Sequence, residues 1–141
     1  MAWWIKSEPL KIERLTVAIA DLPSSLSGTK LVHLSDLHYD GLRLSEALLA
    51  GAIEASNQED PDLVLLTGDY VTEDPTPIHD LVLRLKHLRS CLGIYASLGN
   101  HDIYYRNAKE TVTKALIGIG IEVLWNAIAY PLGQELPIVG L

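Results

Sequence analysis

The sequence predicts an α/β fold. Short apolar runs at residues 30–34, 63–66 and 93–98 alternate with stretches of helical period. Each of those runs ends in a polar cluster. Strands alternating with helices argue for βαβ units with parallel pairing. The chain has 141 residues and 48% hydrophobic content, enough for one domain, or part of a larger one, to bury a core without disulfides.

Taken in order, residues 12–20 alternate only partly but are rich in β-branched side chains, which predicts an entry strand. Residues 21–28 form a turn-rich connection. Residues 30–34 read as a buried strand. Ser45 is placed to cap a helix running to about residue 56, with Leu48, Leu49, Ala52 and Ile53 on one face. Asp60-Pro61 interrupts the chain, and residues 63–66 give a second buried strand ending at Thr67-Gly68-Asp69. Thr76-Pro77 predicts a cap followed by proline in the first turn, with the helix reaching about residue 89. Residues 93–98 give a third strand, ending at Gly99-Asn100-His101-Asp102. A helix over 107–117 stops at Gly118 or Gly120, and residues 121–124 form a fourth strand. Residues 128–130 and 137–141 predict a hairpin around Gly133-Gln134. Nothing polar follows the last apolar run, and an uncovered apolar edge invites pairing. The expectation is a chain that stops before its fold does, with a poorly defined segment at 1–7 and a partial domain at 8–141.

Composition excludes several function classes. Eighteen acidic against 11 basic residues give a net charge of -7, so no grip on a nucleic-acid backbone is expected. The single cysteine, Cys91, excludes an intrachain disulfide and a Cys-rich zinc site. No apolar stretch approaches the roughly 18 residues of a transmembrane span. The expected location is cytoplasmic; Trp3 and Trp4 offer a peripheral membrane contact as the alternative to a core lid or a frayed end.

The chemistry gathers at the strand ends. In open parallel sheets, ligands bind outside the carboxyl ends of the strands. Asp36, His38, Asp69, Asn100 and His101 are therefore expected to converge. Carboxylate oxygen, imidazole nitrogen and amide oxygen together suit Mn, Fe, Zn, Co or Ni better than a metal that prefers thiolate. Gly68 and Gly99 permit tight turns beside a bound ion. Asp102 is placed to accept from an imidazole N–H.

Asp36-x-His38, then Gly68-Asp69, then Gly99-Asn100-His101-Asp102 resembles the calcineurin-like metallophosphoesterases. Intervals of 33 residues from Asp36 to Asp69 and 31 from Asp69 to Asn100 are similar to that superfamily. The flanking text at 31–38 and 62–69, with Glu8-Pro9 and Gly28-Thr29-Lys30, resembles its small bacterial phosphodiesterase-like branch. The resemblance covers about residues 8–141. It implies the N-terminal half of an αββα sandwich with a mixed sheet. It also implies hydrolysis of a phosphomonoester or phosphodiester between two divalent metal ions. Asp36 and His38 would bind the first ion, Asp69 would bridge, and Asn100 would bind the second. His101 would stabilise or protonate the leaving oxygen, with Asp102 beside it.

Family members carry further histidines downstream, one alone and two in Gly-His-x-His. Here the five histidines lie at 33, 38, 79, 87 and 101, and none follows. The implied enzyme is therefore incomplete in this chain, and a non-catalytic remnant or binding module with one partial metal site is the alternative.

Blander readings cover the rest. His33 is expected as a hydrogen-bonded core residue, His79 and His87 as a solvated helix face, and Cys91 as a buried thiol. Tyr104-Tyr105 fits either a substrate cleft or simple packing.

Overall fold

The computed structural model describes residues 9–141, so the segment 1–7 with Trp3 and Trp4 lies outside the described residues. A single 3-10 turn at Ser24–Leu26 leads into β1 (Leu31–Leu34). There follow α1 (Glu46–Gln58), β2 (Leu63–Thr67), α2 (Ile78–Leu85), β3 (Ile94–Ser97), α3 (Asn100–Tyr104), α4 (Ala108–Gly118) and β4 (Glu122–Val123). A hairpin of β5 (Ala127–Ala129) and β6 (Ile138–Gly140) completes the described order.

Strands β1 to β4 form one parallel sheet in sequence order, while β5 and β6 pair antiparallel in a separate sheet. Leu31 stands opposite Leu63, and Val64 opposite Ile94. That register places the ends of β1, β2 and β3 side by side. The α/β reading therefore holds, and the parallel sheet with its helices matches the N-terminal half expected for the sandwich.

One face of the sheet is covered. Val64, Leu66 and Ala96 pack under Leu49 and Ile53 of α1, Leu81 and Leu85 of α2, and Val112 and Leu116 of α4. These side chains are all nearly or fully buried, and removing them from water is the main favourable term for the fold. The opposite face carries exposed Leu31, His33 and Thr67.

Helix α1 begins as its sequence predicts, since the Ser45 hydroxyl accepts from the Leu48 N–H at 3.1 Å. Helix α2 ends four residues early. Asn57 explains why: its amide donates to the His87 carbonyl at 2.9 Å and accepts from the Arg89 N–H at 2.8 Å, holding the chain in a turn.

Three expectations are corrected. Residues 12–20 are exposed coil, not a strand, with Leu15 86% exposed. β-propensity is realised only against a pairing partner, and none is present among the described residues. This coil, with Leu31, His33, Leu132 and Leu136, instead lines an apolar hollow of about 590 Å³. Cys91 is exposed, because it falls in the bend before β3. His33 is exposed rather than in the core, though its Nε2 does meet Thr67 Oγ1 at 2.6 Å across the strands.

Candidate metal centre

Three loops leave the adjacent ends of β1, β2 and β3 and interlock. The first is zipped to the second by backbone bonds that continue the parallel ladder. The Asp36, His38 and Tyr39 N–H groups donate to the Gly68, Asp69 and Tyr70 carbonyls at 3.1, 2.9 and 2.8 Å. To follow that path Asp36, His38 and Asp69 take positive φ values of 54°, 41° and 53°. Left-handed conformations at non-glycine residues cost about 1–2 kcal/mol each, and such outliers concentrate at functional sites.

The second and third loops touch backbone to backbone. A Cβ on Gly68 would overlap the Gly99 amide, and a Cβ on Gly99 would overlap the Asp69 carboxylate. Both positions therefore require glycine. The Asp69 carboxylate occupies the space so released, where Oδ1 accepts from the His101 N–H at 3.0 Å.

Asp102 fastens these loops together. It is fully buried, and its Oδ2 accepts from the Asp69 N–H at 2.7 Å and the Gly99 N–H at 2.8 Å. Its Oδ1 accepts from the Tyr70 N–H at 2.9 Å and from Val71 at 3.4 Å. Burial raises the Asp102 pKa above the usual carboxylate value, against the opposing pull of these four N–H groups. The imidazole partner expected for Asp102 is thus replaced by backbone. His101 bonds elsewhere: its Nδ1 meets the Thr72 carbonyl at 2.5 Å. A carbonyl only accepts, so Nδ1 carries the hydrogen and Nε2 is the free nitrogen.

His38 stands at the middle of the predicted side chains that come together. His38 Nε2 lies 3.8 Å from Asp36 Oδ1 and 3.8 Å from Asp69 Oδ2. One ligand atom from each of His38, Asp69 and His101 falls within 4.8 Å of the others. The His38 and His101 rings meet edge to face with centroids 4.9 Å apart. Asn100 opens α3 beside His101 and is exposed. Gaps of 3.8 Å are too long for hydrogen bonds. They are a few tenths wider than the roughly 3.4 Å between two ligands held about 2.1 Å from a tetrahedral ion. An imidazole that stands near two carboxylates without bonding either, grouped with a second imidazole about Asp69, fits a divalent cation. His38 Nδ1 is buried without a partner among the described residues, a deficit that native structures rarely leave unexplained.

Sequence reasoning missed three supports: α3, the Thr72 carbonyl and the Asp102 clamp. The signal for two of them was present. Gly99 with Asp102 three residues on is a helix start in which the acidic side chain reaches back to the cap N–H.

The sequence that carries this site has counterparts among known proteins. The family model for calcineurin-like phosphoesterase matches residues 29–130. The chain belongs to the calcineurin-like phosphoesterase family. A "transmembrane protein with metallophosphoesterase domain" from Danio rerio is 32% identical over 123 residues, 87% of this chain and 28% of its own length. Phosphodiesterase YaeI of Escherichia coli is 31% identical, with 94% of this chain and 50% of YaeI covered. The UDP-2,3-diacylglucosamine pyrophosphatase LpxG of Chlamydia trachomatis is 32% identical over 71% of this chain and 31% of LpxG. The chain thus spans half or less of the length of these relatives. No solved structure gives a significant match. Among the described residues no helix is long and apolar enough to cross a membrane.

Proposed function

We propose that this calcineurin-like phosphoesterase chain supplies the first half of a centre that hydrolyses phosphomonoesters or phosphodiesters. The placement of His38 Nε2 3.8 Å from both the Asp36 and the Asp69 carboxylate, at the ends of adjacent parallel strands, carries the reading. Asp36, His38 and Asp69 would hold one divalent cation. Asp69 and the Asn100 amide would contribute to a second. Bound cations supply positive charge to the phosphoryl oxygens and lower the pKa of water.

The chain's own groups do the rest. The Asp69 carboxylate is aimed by the His101 N–H, which ties the ligand of one loop to the acid of the next. Thr72 fixes the His101 ring through Nδ1–H, so that in its doubly protonated form the imidazolium would present Nε2–H to stabilise or protonate a departing alkoxide, ending as the neutral Nδ1–H ring. Asp102 touches no reacting group on this reading; it positions Asp69 and His101 through the backbone.

A second reading is favoured by the tight grouping of His38, Asp69 and His101 around one point. On that reading His101 is a ligand, and the chain binds one metal without turnover. Calorimetric titration with Mn²⁺ and hydrolysis of bis(p-nitrophenyl) phosphate separate the two. The proposal expects Mn²⁺ binding that Asp69→Asn weakens at least tenfold, and slow turnover lost in His101→Ala while Mn²⁺ affinity persists. Loss of Mn²⁺ affinity in His101→Ala favours the second reading. Absence of Mn²⁺ or Zn²⁺ binding at millimolar concentration refutes both.

A further inference from the structure

We infer that Tyr104 forms the wall of a subsite for an aromatic ring on the ester, so that the phosphoesters preferred here carry a nucleobase or an aryl group. This rests on the phosphoester reading above and adds the substrate class.

The placement follows from helix geometry. At about 100° per residue, Tyr104 projects about 40° from Asn100 and about 60° from His101 on α3, and about 160° from Asp102. Asp102 is the side that faces the interior, being fully buried. Tyr104 therefore stands on the same outward side as the two residues assigned to the second metal and the leaving oxygen. A group departing toward His101 would leave along this side.

The ring is available and held. Tyr104 is 79% exposed, and its hydroxyl makes no hydrogen bond among the described residues. Tyr105 packs against it, with centroids 5.3 Å apart and planes inclined by 73°. An edge-to-face neighbour of this kind restrains a tyrosine without covering both of its faces. An exposed aromatic face on the side of α3 that carries Asn100 and His101 offers stacking, which tolerates any flat π-system. Alkyl esters gain little from it.

The test measures affinity for product-like ligands on the full chain with Mn²⁺ present: adenosine monophosphate, phenyl phosphate and inorganic phosphate. Adenosine monophosphate or phenyl phosphate should bind about fivefold or more tighter than inorganic phosphate, the low end of base–aromatic stacking. Tyr104→Ala should bring that ratio to near one, and Tyr104→Phe should keep it, with far-UV circular dichroism confirming both folds. Preference for adenosine monophosphate over phenyl phosphate identifies a nucleobase; equality identifies a simple aryl group. A wild-type ratio near one, or a ratio that survives Tyr104→Ala, overturns the inference while leaving the phosphoester reading intact. Failure of inorganic phosphate itself to bind refutes that reading, and the subsite falls with it.

Discussion

Replacing Asp102 by alanine should cost more stability than any exposed substitution in the chain. The carboxylate accepts three backbone N–H groups at 2.7–2.9 Å and a fourth at 3.4 Å, with no exposure to solvent. Hydrogen bonds to a charged group contribute about 1.5–3 kcal/mol each, so the three short ones set a ceiling near 9 kcal/mol. Burial of the carboxylate opposes this, as its raised pKa shows, and removal relieves that cost. Breaking one side of a buried charged network typically costs about 3–5 kcal/mol, and we adopt that range. Asp102→Asn keeps one acceptor but turns an N–H₂ toward N–H donors, so about 2–3 kcal/mol is expected. Urea unfolding followed by circular dichroism at low protein concentration is the assay. With a slope of about 2 kcal/mol per molar, the alanine variant should lose roughly 2 M in midpoint and the asparagine variant about 1 M. A loss below about 0.5 M for Asp102→Ala, at unchanged slope, would refute the clamp.

Gly99→Ala should weaken Mn²⁺ binding about tenfold or more with little change in circular dichroism, because the added methyl meets the Asp69 carboxylate; unaltered calorimetric affinity would contradict the geometry. The pKa of Glu46 is lowered by the Tyr39 hydroxyl and then by Arg84. Its contribution is therefore present above the unfolded pKa and lost as pH falls through the lower folded value; Glu46→Gln should flatten the acid limb of the melting temperature between about pH 5 and 3. Exposed Leu15, Val17 and Leu31 beside the apolar hollow should bind anilinonaphthalene sulfonate and promote self-association. Sedimentation as one monomer from 5 to about 200 μM without dye binding would count against this.

Legibility followed the physics of each segment. The four parallel strands and the hairpin were readable because apolar runs bounded by turn residues have few other uses. Residues 12–20 were not, since β-branched side chains describe a surface that fits a sheet and say nothing of which strand stands beside it. Asp36, His38 and Asp69 were identified by residue type and spacing. Their left-handed backbones were not, because the mild preference of Asp and His for positive φ does not decide a given position, and the conformation comes from the backbone bonds of one loop to the next. Asp102 was placed in the right cluster with a different partner: its three-residue offset from Gly99 decided the bond, and nearness to His101 did not.

The parallel order of β1, β2 and β3 has a kinetic consequence. Asp36, Asp69 and Asn100 stand 33 and 31 residues apart in the chain, so the strand ends that carry them come side by side only after two long crossover segments have closed. The entropy of those closures precedes any reward from the contacts they create. On the proposed function, a cation in solution would encounter scattered single ligands during folding, and a finished cradle afterwards. Metal should leave the refolding rate nearly untouched and slow unfolding instead, acting as a latch on a sheet already assembled.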